Sequence, residues 1–208
     1  MRLRVLNLYA GIGGNRKLWE NVDVTAVEIN PNIAKIYQDF FPKDKVIVGD
    51  AHQYLLDHFQ EYDFIWSSPP CQSHSRIRKA NEYQNKPIYP DMKLYEEILL
   101  LQGYFKGKYV IENVRSWYYP LIPPQEIALH YFWSNFVILP LKINSRGHLE
   151  TIDNLQAIKG FNLDNYIGID KNKTLRNCVE PKTGLHILNC SFIDLKNIKT
   201  NKVQERLF

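Results

Sequence analysis

The chain has 208 residues, 45% of them apolar and 23% charged, a composition that fits one globular domain able to bury a core without disulfide or metal staples. Net charge is +4, but residues 1–104 carry 12 basic against 13 acidic side chains and residues 105–208 carry 14 against 9, so the basic half is the second, compatible with a polyanion partner. Three cysteines, none in a CxxC, argue against a disulfide framework and a zinc site. No apolar run is long enough for a membrane helix and the first residues lack the shape of a secretion signal, so a cytoplasmic, reducing location is expected.

In chain order, residues 3–9 read as a buried strand followed by a glycine turn and a helix to about residue 20. A strand over 22–28 precedes a helix opened by Asn30-Pro31 and running to about 41, with proline where its missing N–H costs nothing. Residues 45–48, 62–66 and 108–112 read as strands, 51–59 and 92–103 as helices, and 73–89 as a polar loop. Strands alternating with helices at this spacing predict a parallel α/β sheet. From Gln125 two apolar runs around Ser134-Asn135 suggest an antiparallel edge hairpin. Residues 140–176 look irregular, 179–188 a closing helix or strand, and 196–208 a basic tail.

The chemistry-bearing residues fall at strand ends. AGIGG at 10–14 follows the first strand, where glycines let backbone approach a cofactor; Arg16 stands where a dinucleotide fingerprint has its third glycine. Glu28 ends the second strand and Asp50 follows the third, so a glycine turn and two carboxylates share one edge, as an adenosine pocket needs. Either acid alone reads equally well as a helix N-cap. Cys71 lies just beyond the fourth strand, stiffened by Pro69 and Pro70, with Arg76, Arg78 and Lys79 nearby as cations expected to lower its pKa. Cys178 and Cys190 read as buried hydrophobes. Glu112 ends the fifth strand, and a thiol with a carboxylate beside it suits nucleophilic attack on a ring that must be protonated.

Taken in order, NLYAGIGG at 7–14, VEIN at 27–30, Gly49-Asp50, PCQ at 70–72 and ENV at 112–114 resemble the DNA cytosine-5 methyltransferases. NRKLW at 15–19, YPDMKLY at 89–95 and YFWSNF at 131–136 bring the likeness closest to the small bacteriophage enzymes of restriction-modification type. The resemblance implies a Rossmann-like methyltransferase sheet and S-adenosylmethionine as cofactor, with no metal. It implies that Cys71 attacks C6 of a cytosine, that Glu112 holds or protonates N3, and that C5 accepts the methyl group of a base flipped out of double-stranded DNA. The cofactor would lie over Tyr9, Ala10, Gly11, Ile12, Gly13 and Gly14, with Glu28 on the ribose, Ile29 against adenine, Asp50 at its amino group, and Ala51 and Pro70 alongside. LRNCV at 175–179 resembles the closing motif and carries Asn177 and Val179 to the cofactor. Gln72, Ser75, Arg76, Lys79, Asn113, Val114 and Arg115 would face the nucleic acid.

Departures carry information too. Asn7 and Asn15 replace an aspartate and an aromatic of the first motif, and the late arginine motif is not recognisable. Arg78 is the expected stand-in on the cytosine carbonyl, with Arg76 and Arg115 as alternatives. Only 15 residues, 140–154, stand where a recognition domain is usually inserted, which predicts a short or relaxed target dominated by phosphate contacts. The expected organisation is a catalytic and cofactor-binding core over 1–139, a minimal remnant over 140–176, a closing motif over 177–195 and a tail over 196–208. Gln204, Leu207 and Phe208 resemble the peptide by which bacterial proteins dock on the sliding clamp. Two alternatives stand beside DNA methylation: tRNA cytosine-5 methylation, and a catalytically silent DNA-binding subunit needing a recognition partner.

Overall fold

A computed structural model describes residues 2–80, 83–84, 86–141 and 151–193. Lys142, Arg146 and His148, which the sequence of the short 140–154 span suggests as nucleic-acid contacts, and the clamp-like residues Gln204, Leu207 and Phe208 lie outside the described residues. Seven strands, β1 (Leu3–Leu8), β2 (Val22–Glu28), β3 (Lys45–Val48), β4 (Phe64–Ser67), β5 (Lys108–Val114), β6 (Gln125–Ile127) and β7 (His130–Ser134), form one sheet in the order β3-β2-β1-β4-β5-β7-β6. The first five pair in parallel and β7 runs antiparallel to both β5 and β6. Parallel strands need covering on both faces, and two apolar clusters supply it. Leu6, Leu8, Ile65 and Ile111 pack with Leu55 and with Leu94, Ile98 and Leu101 on one face; Val5, Phe64, Trp66 and Val110 pack with Ile187 and Leu188 on the other.

The helices are α1 (Pro31–Phe40), α2 (Ala51–His58), α3 (Arg76–Ala80), α4 (Lys93–Tyr104), α5 (Ile152–Lys159), α6 (Lys171–Asn177) and α7 (Pro181–Cys190). Helix α1 is capped by Asn30, whose side chain accepts from the Asn32 and Ile33 amides, and α2 by Asp50, which accepts from His52 and Gln53. The capping reading thus holds for Asp50 and fails for Glu28.

Four expectations need correction. No helix follows the glycine turn: Gly11 and Gly13 sit at φ +54° and +84°, outside the right-handed helical region, and residues 14–19 make only i to i+3 bonds. The hairpin turns at Ala128-Leu129, with Ala128 at φ +53°; Ser134 and Asn135 end β7, and Asn135 clamps the Tyr109 amide and the Gly107 carbonyl. The loop after Cys71 contains the short helix α3. The span read as irregular holds α5, capped by Thr151 and closed by Gly160 at φ +68°, and α6, capped by Asp170. Both bring Leu155, Phe161 and Leu175 against Ile12 and Ile36, over the glycine turn. The closing segment is helical, as α7.

The glycines of the turn have separate jobs. A Cβ at Gly14 would come within 2.2 Å of the Val179 carbonyl oxygen and 2.3 Å of Cys178 Sγ, whereas a Cβ at Gly11 would meet nothing within 4 Å. Gly14→Ala is therefore expected to cost about 3 kcal/mol and Gly11→Ala about 1 kcal/mol of left-handed backbone strain, measured by urea unfolding. Equal costs would refute this division of labour.

Candidate active site

Strands β1 and β4 are neighbours where the strand order reverses, and open parallel sheets bind ligands in the crevice beyond the carboxyl ends at such a point. The glycine turn leaves β1 there and the Cys71 turn leaves β4. Asn7 and Asn15, the two departures from the first motif, are buried and bond to each other: Asn15 Nδ2 donates to Asn7 Oδ1 at 2.7 Å, and Asn7 Nδ2 returns a 3.4 Å bond. Arg16, in place of a third glycine, forms a bidentate pair with buried Asp44 at 2.8 and 3.0 Å, which also accepts from Tyr37 Oη. The turn is anchored by side chains and not by a following helix.

Along the β1–β3 edge, the Glu28 carboxylate accepts from the Gly11 and Asn30 amides at 3.0 and 2.9 Å, which fixes its direction. Ile29 next to it is 69% exposed. Burial pushes the Asp50 carboxyl up, but the Gln53 and His52 amides and the Lys93 ammonium outweigh it and hold it below its ordinary value. Ala10, Ile12 and Ala51 are buried, so these positions offer backbone to a ligand. The Val179 backbone lies against Gly14, while Asn177 is exposed at the end of α6. Open space above Gly11, an exposed apolar side chain beside an oriented carboxylate, and a second carboxylate at the next strand end fit an adenosyl group.

Cys71 is partly buried, and its carbonyl accepts from the His74 and Ser75 amides at 3.0 Å each, turning the chain directly after the thiol. Glu112 is 9% exposed on β5, the strand parallel to β4. Buried Asn113 donates from Nδ2 to the Pro69 carbonyl at 3.0 Å, tying the Glu112 strand to the Cys71 turn. Burial first, then the charge of Glu112, push the Cys71 thiol above its ordinary range. The expectation that the loop cations lower it is thus overturned. Arg76 Nε donates to the Ser116 carbonyl, Arg78 Nη2 to the Lys86 carbonyl, and Lys79 lies over the Trp117 ring, so the charge that dominates at the sulfur is the carboxylate. Gln72 is exposed, Ser75 Oγ accepts from the Ile77 amide, Val114 closes β5 and Arg115 is ion-paired with Glu126.

Two residues escaped sequence reasoning. His130 Nε2 stands 3.7 Å from Glu112 Oε1, brought there by the antiparallel register that sets Glu112 opposite Phe132 and Val114 opposite His130. This histidine faces the carboxylate. Glu97 is 1% exposed on α4, yet its carboxylate accepts from Tyr9 Oη and Ser67 Oγ at 2.6 Å each and meets His52 Nδ1 at 3.1 Å. It joins the end of β1, the end of β4 and α2 beneath both turns. Its signal was a glutamate at 97 on the same helical stripe as Leu94, Ile98 and Leu101. A larger cavity of about 740 Å³ lies between the amino ends of β1 and β2 and α7, at the opposite end of the strands from Cys71 and Glu112. Among the described residues no group of three or more His, Cys, Asp or Glu is placed to hold a metal, and no helix is long and apolar enough to cross a membrane.

This sheet order, with a glycine turn and two carboxylates at its carboxyl edge, defines a Rossmann-like α/β fold. Residues 3–117, more than half the chain, match the family described as C-5 cytosine-specific DNA methylase. The chain belongs to that family. It is 29% identical over 122 residues to the tRNA (cytosine(38)-C(5))-methyltransferase of Homo sapiens, covering 55% of this chain and 31% of that protein. The enzyme of the same name from Spodoptera frugiperda is 31% identical over 86 residues, 38% of this chain and 26% of its own length. The chain thus spans about a third or less of these relatives. Among solved structures, a DNMT2 variant from Spodoptera frugiperda aligns at 26% identity and a TM-score of 0.38, covering 54% of this chain and 35% of that one. A hypothetical protein of Thermus thermophilus aligns at 18% and 0.44, covering 64% and 74%.

Proposed function

We propose that this chain methylates C5 of a cytosine in a nucleic acid through a covalent adduct between Cys71 and C6. The observation that carries this reading is the tie of the Cys71 turn to the Glu112 strand by Asn113, beside the glycine turn of β1. Cys71 gives its thiol proton to solvent and adds its sulfur to C6, and the displaced electron pair moves through the ring toward N3, where Glu112, having taken up a proton from solvent as the base binds, supplies it. The raised Cys71 thiol fits that order. Its thiolate is disfavoured while Glu112 is charged, and that repulsion falls as the carboxyl engages N3 of the base. His130 stands where it can orient Glu112. S-adenosylmethionine, when bound, supplies the methyl group that C5 receives; Glu28 and Asp50 would take its ribose and adenine amino groups, and Ile29 its ring. Solvent water then takes the C5 proton, the C6–S bond breaks with its electron pair on sulfur, and N3 returns its proton to Glu112, so that Cys71 leaves as the thiolate.

For the substrate, the names of the curated relatives favour a tRNA cytosine, ahead of the double-stranded DNA with relaxed specificity that the sequence motifs suggested. The family description and the phage-like segments support DNA as the second reading. Incubation with labelled cofactor and either tRNA or duplex DNA, followed by nucleoside mass spectrometry, is expected to give 5-methylcytosine in tRNA. Label in DNA alone would reverse the order of the two readings, and label in neither would sink the enzymatic one.

A further inference from the structure

Beside the Cys71 turn lies a second cavity of about 490 Å³ that the methyl-transfer chemistry does not use. One side is α3, contributing Arg76 and Lys79; the other is the segment after β5, contributing Trp117, Tyr118, Tyr119 and Pro120. Both sides belong to the catalytic supports, since Arg76 follows Cys71 by five residues and Trp117 follows Glu112 by five. They are stitched together: Ser75 bridges Ser116, the Trp117 amide donates to the His74 carbonyl, and Trp117 Nε1 donates to the Ser73 carbonyl, each at 3.0 Å. Trp117 is therefore held in place before any ligand arrives, while Tyr119 is 96% exposed and makes no hydrogen bond or ring contact among the described residues. Lys79 Nζ lies 5.6 Å from the centre of the Trp117 ring. Aromatic faces combined with two cations match an unpaired nucleotide, whose base stacks while its phosphate meets ammonium and guanidinium.

We propose that this groove binds the base and phosphate of an unpaired nucleotide close to the target cytosine. Resting on the cytosine methyltransferase reading, this makes the preferred substrate a single-stranded loop or gap. A duplex keeps the neighbouring bases stacked within the helix and out of reach of Tyr119.

The test uses the full chain and single strands of RNA or DNA carrying one 5-fluorocytosine, with an abasic site placed in turn at each of two positions on either side. Adduct yield on denaturing gels gives the half-saturating concentration, and fluorescence anisotropy of the same strands with cytosine gives binding alone. One abasic position is expected to weaken both about tenfold. Tyr119→Ala is expected to weaken the intact strand by the same factor, to leave the abasic strand unchanged and to keep the wild-type unfolding midpoint; Tyr119→Phe is expected to bind as wild type. Tyr119→Ala binding like wild type, or losing equally on intact and abasic strands, overturns the groove. Tyr119-dependent anisotropy without any adduct would retain the groove and overturn the catalytic reading instead. Equal effects in RNA and DNA would place recognition in base and phosphate, whereas an effect in neither would overturn it.

Discussion

Replacing Glu112 by glutamine is expected to move two readouts in opposite directions: methyl transfer falls about 10²–10⁴-fold, while alkylation of Cys71 by iodoacetamide becomes faster. The thiolate is the reactive form. In the folded chain burial and the Glu112 charge both hold the proton on sulfur. Removing the charge leaves the burial contribution, so the thiol stays above its ordinary range but below that of the native chain. At any pH beneath its pKa the thiolate fraction then rises. The pH profile of alkylation, followed on the Cys71 peptide by mass spectrometry, should shift to lower pH in Glu112→Gln. Cys178, pushed up to about 11 by burial, and buried Cys190 contribute little signal. Cys71→Ala should abolish both alkylation of that peptide and the 5-fluorocytosine adduct. Slower or unchanged alkylation in Glu112→Gln would mean that the carboxylate does not govern the sulfur.

Glu97→Ala is expected to cost about 3 kcal/mol of stability, among the largest effects of a single polar side chain here. The substitution strips Tyr9 Oη, Ser67 Oγ and His52 Nδ1 of a shared, buried acceptor. It also changes the pH dependence. The hydrogen bond to Glu97 raises the His52 pKa, burial opposing it, with the charges of Glu97 and Glu96 adding to the rise and Lys93 opposing. A base whose folded pKa is raised stabilises the fold fully below its unfolded pKa, and that contribution disappears as pH rises through the folded value. Native stability should therefore decline from about pH 6 upward in the histidine range, and Glu97→Gln, which keeps the shape and loses the charge, should flatten that decline. Urea midpoints across pH 5–9 measure both. An unchanged slope in Glu97→Gln would show that the pair is not ionised in the fold.

How much of this was legible depended on what each signal rests upon. The five parallel strands and α1, α2 and α4 were readable because local apolar periodicity and caps such as Asn30 act within a few residues. The same locality misled at residues 14–19, which follow the positive-φ glycines 11 and 13 and fold as turns with only i to i+3 bonds. It also missed α5 and α6, which are short and gain their place by covering Ile12 and Ile36.

At the site, Cys71, Glu112, Glu28 and Asp50 could be picked out from sequence alone, since residue type and position at a strand end follow from the strand pattern. Three things could not. The sign of the Cys71 shift depends on where the Arg76, Arg78 and Lys79 side chains go, and backbone carbonyls and the Trp117 ring claim them. The side chain facing Glu112 is chosen by the register of β7 on β5, which brings up His130 from 18 residues away. The acceptor beneath both turns, Glu97, is 88 residues from Tyr9 and 30 from Ser67. Sequence alone determined the family, the strand order's raw material and the placing of Cys71 and Glu112 at neighbouring strand ends, because these are written in residue types at local spacings. Only the tertiary structure decided the electrostatics around that pair and the groove beside it, because charges and aromatic faces act through space and the fold sets which of them meet.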